Sequence, residues 1–317
     1  MTQPIPPIST QLSALATAQP DAAAVTCQGR TVSRAELDAS TNRLAREYAA
    51  RGVGVGDYVS IALPNSIEMI ESLMACSKVG ATPQPLSARL PDAEFAAILD
   101  LTPRALIVGR ADPRGQTPSL PAGVTVDGSR SSAALPEAVS PIWKSMTSGG
   151  STGRPKLIDA GTDSRLSPLS GYALGAQEGD VQLVSLPLTH NTAVNNLIAG
   201  LLLGHHAVVM PRFDPHEFLR LITEHRVTFL ATVPTVMQRV YPCTGPTPTP
   251  TTCRPFAVSG TWEGRAPRQS SKPGSISWAP TKSGNSTPAP NSKPRRCCPA
   301  SIGCRIPVQS AWSCWGR

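Results

Sequence analysis

The chain has 317 residues, with 29 lysines and arginines against 21 acids for a formal net charge of +8. Ten of the basic residues but only one acid, Glu263, follow residue 240, so residues 1 to 240 hold 19 basic against 20 acidic groups, or −1. The basic total therefore belongs to the tail and points to no specific nucleic-acid surface, leaving only non-specific binding by a basic, Trp-containing segment as an alternative. The apolar run from 197 to 210 is broken by His205 and His206 and is too short to span a bilayer, and the first residues lack the basic region and apolar core of a secretory signal.

Through residue 240 the pattern alternates strands with helices, which predicts an α/β fold of layered sheets with flanking helices. Ser33 with Glu36 three residues on makes a capping box for a helix reaching about Arg51. A strand over 58–63 stops at Pro64-Asn65, and a helix over 66–79 follows. Residues 90–100 read as helix and 105–108 as strand, while 112–141 are rich in Pro, Gly and Ser and read as loop. A strand over 181–186 leads to His190; then come a helix over 195–203 and a strand over 207–210. Asp214 with Glu217 caps a further helix, 228–232 is a strand, and Val233-Pro234 opens a last element. His205 and His206 are adjacent, project to different sides of any helix or strand, and make poor joint metal ligands; surface positions are expected. No fixed-period repeat is present.

Residues 147 to 156, Thr-Ser-Gly-Gly-Ser-Thr-Gly-Arg-Pro-Lys, carry the chemistry. Gly149, Gly150 and Gly153 let backbone amides approach phosphate oxygens with no Cβ in the way. Thr147, Ser148, Ser151 and Thr152 add short donors, Lys156 adds a mobile charge, and Pro155 stiffens the exit. The spacing is not that of a Walker loop, because the fifth residue after Gly149 is Arg154 and Gly153 is followed by Arg-Pro-Lys. The stretch points to ATP chemistry outside the GTPase and kinase-type folds.

From Ser148 to Lys156 the stretch resembles the signature [ST]-S-G-[ST]-T-G-x-P-K of the adenylate-forming enzymes, which include acyl-CoA and aryl-CoA synthetases and peptide-synthetase adenylation domains. Gly149 stands where that signature has its second Ser, as in branches that activate aryl acids. The resemblance continues in the family's order through 52–65, 75–86, Leu186-Pro-Leu-Thr-His-Asn191, Arg212-Phe-Asp-Pro215 and 227–235, covering about residues 8 to 240. It implies the N-terminal portion of the family's large domain. It also implies activation of a small carboxylic acid with ATP and Mg2+ through an acyl-adenylate, then transfer to CoA. Thr152 and Lys156 would stabilise the charge developing on the departing pyrophosphate, and His190 with Asn191 would line the acyl pocket. Acyl acids, fatty or steroid-side-chain, rank ahead of aryl acids. No metal ligand is assigned, since the family's magnesium glutamate belongs to a later motif.

Beyond residue 240 the composition changes. Residues 241–317 hold 13 of 33 prolines, 6 of 8 cysteines and 4 of 5 tryptophans, with no leucine and no aspartate, so they cannot build an ordinary core. Cys297, Cys298, Cys304 and Cys314 form no repeated CxxC pair and have no histidine beside them to complete a zinc site. The genetic code offers an explanation. Joining the third base of each codon to the first two of the next lets 245–257 read ADPDAYDLSSLR, 269–282 read VKQAWIDLLGPDK, and 282–291 read VWELYxGTE. The last is close to the family's adenine and magnesium motif WELYGGTE. The segment 241–317 is therefore expected to be an out-of-frame, disordered tail, and the chain to be impaired as a catalyst or a non-catalytic product. Setting the tail aside leaves Cys27 and Cys76, which suits a reducing cytoplasm.

Overall fold

The computed structural model describes residues 4–102, 105–124, 128–148, 155–167, 176–240 and 257–259. Helix α1 (Ile8–Ala18) leads into a hairpin of β1 (Ala23–Cys27) and β2 (Arg30–Ser33). The capping box forms: Ser33 Oγ accepts from Glu36 N at 3.1 Å while Ser33 N donates to Glu36 Oε2 at 2.7 Å, and α2 (Arg34–Ala50) starts there. Strand β3 (Tyr58–Ile61) stops two residues short of the expected end. Helix α3 (Ile67–Val79) begins under Ser66, whose Oγ accepts from Met69 N at 3.0 Å, and ends at Gly80 in the left-handed region. A Cβ on Gly80 would fall 2.8 Å from Val55 Cγ2, so both backbone and packing require glycine there.

Strand β4 (Thr82–Pro85), α4 (Asp92–Leu99), β5 (Leu106–Gly109) and the short β6 (Ser119–Pro121) follow, the last inside the stretch expected to be all loop. Then come the hairpin β7 (Ser145–Ser148) and β8 (Lys156–Asp159), β9 (Val181–Val184), α5 (Asn191–Leu202), β10 (His206–Val209), α6 (Pro215–Glu224), β11 (Phe229–Ala231), α7 (Pro234–Val240) and β12 (Ala257–Ser259). Helix α5 starts four residues earlier than its apolar pattern suggested, which makes His190 its N-cap. Asp214 caps α6 as expected, its Oδ1 accepting from His216 N and Glu217 N at 2.9 Å each.

The strands form a six-stranded sheet in the order β12-β11-β9-β10-β1-β2, parallel except at the β1–β2 hairpin, and a parallel four-stranded sheet in the order β4-β3-β5-β6. Helix α3 packs on β1 of the first sheet and on β3 and β4 of the second, and α2 packs on α3, so helices lie between the sheets. One core cluster runs through both sheets, and a smaller one, with Leu86, Phe95, Ile98 and Ile107, fills the outer face of the second sheet under α4. Within the main core Lys78 is 6% exposed and its Nζ donates to Asp38 Oδ1 and Asn42 Oδ1, both at 2.7 Å, tying α3 to α2.

His205 departs from the expected surface position. It is 1% exposed, its Nε2 lies 2.9 Å from Gln177 O, and its ring packs edge-on against Phe229. The tight turn from α5 into β10 carries it inward, while His206 on the strand meets Thr26 Oγ1 at 2.7 Å. No helix among the described residues is long and apolar enough to cross a membrane.

Candidate active site

The glycine-rich signature closes a hairpin. Strands β7 and β8 pair antiparallel, with Ser145 opposite Asp159 and Ser148 opposite Lys156, so the two ends of the signature are ladder partners joined by residues 149–155. Thr147 and Ser148 are half-buried and Lys156 is exposed; Gly149, Gly150, Ser151, Thr152 and Gly153 lie outside the described residues. The hairpin is fixed to the second sheet by side chains. Thr82 Oγ1 on β4 donates to Ile142 O at 2.9 Å, and Tyr58 Oη on β3 donates to Asp159 Oδ2 at 3.0 Å. Lys144 O accepts from Ala160 N at 3.0 Å, which extends the hairpin pairing by one rung.

The second part of the site is the turn between β9 and α5. Asn65, 8% exposed, reaches into it: its Nδ2 donates to Leu186 O at 2.9 Å and Met210 O at 3.1 Å, and its Oδ1 accepts from Leu188 N at 2.8 Å. A single amide thus holds the ends of two neighbouring strands and the turn that delivers His190. His190 is exposed, its backbone is extended at φ −105° and ψ 141°, and it makes no side-chain capping bond. The start of α5 therefore has no side-chain acceptor from its own cap.

Lys144 joins the two parts. It is 5% exposed, and its Nζ donates to Asn191 Oδ1 and Asn195 Oδ1, one turn apart on α5, while sitting 4.4 Å from the centroid of the Trp143 ring. Burial pulls its ammonium down from 10.5 to about 7, and no charged neighbour offsets that effect. Of the residues expected to form the site, Asn191 is thereby brought to the base of the hairpin that carries Thr147 and Ser148, and His190 stands beside it at the head of the helix. Lys144 and Asn195 escaped the sequence reading. Their available signals were an asparagine pair at i and i+4 in an apolar segment, which shares one helix face, and a lysine three residues before Thr147. Among the described residues no three His, Cys, Asp or Glu side chains cluster as a metal site.

Residues 12–262 match the family described as AMP-binding enzyme. A feruloyl-CoA synthase of an Amycolatopsis species is 32% identical over 234 residues, covering 70% of this chain and 47% of that protein. A long-chain-fatty-acid–CoA ligase of Mycobacterium tuberculosis is 30% identical over 223 residues, covering 64% of this chain and 44% of that one. The chain thus spans less than half the length of these relatives. Among solved structures, the inhibitor-bound N-terminal domain of FACL13 from Mycobacterium tuberculosis superposes with a TM-score of 0.71 at 23% identity, covering 81% of this chain and 70% of that one. The O-succinylbenzoate–CoA synthetase of Bacillus subtilis, in complex with ATP and magnesium, gives 0.67 at 23% identity, covering 81% and 55%. At such identities the superpositions speak for the fold. The family match runs through the hairpin, the β9–α5 turn and both sheets that position them, and on that basis the chain belongs to the AMP-binding family of adenylate-forming enzymes.

Proposed function

We propose that residues 8–240 carry the nucleotide- and acid-binding half of an AMP-forming acid–CoA ligase. The observation that supports this most is the pairing of Ser148 with Lys156, which brings an exposed lysine to one end of the glycine-rich connection, opposite a position four residues after the buried Lys144. A polyphosphate suits that arrangement, since glycine amides and a long lysine side chain can reach its oxygens. In the reaction a carboxylate oxygen bonds to the α-phosphorus of ATP, the bond to the β-phosphate oxygen breaks, and pyrophosphate leaves. A CoA thiol then displaces AMP from the acyl carbon. The chain's own contribution to the first step is electrostatic: Thr152 and Lys156 hold the leaving oxygens, with Thr147, Ser148, Gly149, Gly150, Ser151 and Gly153 supplying short donors around them. His190 and Asn191 border the acid. Magnesium would screen the phosphate charges, and none of the described residues is assigned to it.

Acyl acids rank first as substrates, from the run His190 to Thr235 and Arg212-Phe-Asp-Pro215. The aryl reading is favoured by Gly149 and by the identity to the feruloyl-CoA synthase. Free, buried Cys27 and Cys76 support a reducing, cytoplasmic setting. The tail after 240 is read as out of frame, because the alternative frame restores leucines, aspartates and a WELY-GTE motif in the family's order. Full catalysis is not expected of the present sequence, since each lost transition-state contact costs on the order of 100-fold.

Two measurements test the reading. Resequencing the gene across the codons for Gln238 to Pro250 should show the frame change; a sequence unchanged there leaves the chain a non-catalytic product. Titration with a fluorescent ATP analogue should give saturable binding that Lys156→Ala weakens at least about tenfold. Equal binding by both proteins would remove the hairpin from the nucleotide site.

A further inference from the structure

Lys144 is a buried cation without a buried anion. Removing a charge from water is tolerated only when hydrogen bonds or an opposite charge replace the lost solvation. Here two neutral amide oxygens do part of that work, and none of the ion pairs among the described residues includes Lys144. An ammonium only donates, so both amides must turn Oδ1 toward it and their NH2 groups away. The third ammonium N–H has the Trp143 ring face within reach, and the NH2 groups of Asn191 and Asn195 make no hydrogen bond with the other described residues. All these groups are donors; the two amides belong to the first two turns of α5, Lys144 faces them from just before β7, and that helix starts with no side-chain cap. The positive end of the helix dipole adds to the same sign of potential.

We propose that Lys144, Asn191 and Asn195 form an oxyanion subsite at the head of α5, which takes an oxygen of the acid's carboxylate or of the nucleotide's phosphate. This rests on the reading of the hairpin and the β9–α5 turn as an adenylating site. Lys144 touches the anion directly, Asn191 supplies donors at the rim, and Asn195 is the buried positioning residue. The depressed ammonium fits a site that awaits its counter-ion, since an arriving anion restores the charge that burial disfavours.

The test uses the full chain and reads the rise in thermal unfolding midpoint with added ligand, which reports binding to the folded state. Octanoate is one arm and inorganic phosphate the other. Asn195→Asp is the decisive variant, because its carboxylate would neutralise Lys144 from inside and keep the fold. Lys144→Met removes the cation, and Asn195→Asp covers the case in which that variant fails to fold. The proposal expects at least one arm to bind wild type and to weaken tenfold or more in Asn195→Asp, the affected arm identifying the source of the oxyanion. Unchanged binding in Asn195→Asp, or no binding of either anion by wild type, overturns it. ATP-analogue binding by the same wild-type protein reports separately on the nucleotide site. Loss of the subsite alone therefore looks different from loss of the whole functional reading.

Discussion

A lysine whose folded pKa lies near 7 makes stability depend on pH. Unfolded, Lys144 keeps its proton to about 10.5; folded, it releases it near 7. Between those values unfolding takes up a proton, so stability rises with pH across that window, and below 7 both states are protonated and the cost is constant. The shift corresponds to at most about 5 kcal/mol. Urea unfolding followed from about pH 7 to about pH 10 should show wild type gaining stability relative to Lys144→Met, and parallel curves would mean that Lys144 is solvated. At this scale the sequence was readable where a residue type has one obvious use. Asp214 and Ser33 are short acceptors before helical patterns, and each caps its helix. It was not readable where the role depends on what lies across the fold. Lys144 looks like an ordinary surface lysine until β7 is laid against α5, and Asn65 looks like a turn residue until its amide is seen to hold Leu186, Leu188 and Met210.

That Asn65 clamp is a property of elements, since it fastens the ends of β9 and β10 to the turn before α5. Asn65→Ala would leave Leu188 N and two carbonyls without a partner in a buried place, a loss of about 2 to 4 kcal/mol. It should also raise the acid's KM or Kd more than the nucleotide's, because the turn carries His190; equal effects on both ligands would contradict this. Gly109, at the end of β5, has φ +90°, and a Cβ there would lie 2.5 Å from Ala62 O. Gly109→Ala is expected to cost at least about 2 kcal/mol in urea unfolding, and a neutral variant would show that β3 can move aside. Helices with capping residues were legible to within a residue or two. Strand β4 was not, because Thr82-Pro-Gln-Pro85 has two prolines; it is tolerated as the edge strand of its sheet, where a missing N–H leaves no broken rung. The α5 start was masked by the polar residues Asn191 and Thr192 before its apolar run, and Asn191, with Asn195 one turn on, proved to meet Lys144.

For the whole molecule, two sheets and the helices between them form a connected core, and the family match extends to residue 262. The last described strand, β12, is the edge of the larger sheet and pairs with β11. Its other side pairs with no strand among the described residues, and an unpaired edge of this kind invites association with other chains. The present chain is therefore expected to run as heterogeneous aggregates in size-exclusion chromatography and light scattering, and a monodisperse, stable monomer would count against the out-of-frame tail. Fold class was readable from alternating elements and ordered motifs. The proposal that the tail is out of frame rests on composition and the genetic code.

The most direct measurement of the central claim is acid-dependent ATP–pyrophosphate exchange by the product of the gene with its frame restored between the codons for Gln238 and Pro250. Exchange that requires a carboxylic acid and falls by about 100-fold or more in Lys156→Ala is the predicted result. A folded, frame-restored protein without exchange for any acyl or aryl acid, or with exchange indifferent to Lys156, would contradict the assignment of this hairpin and helix to carboxylate adenylation.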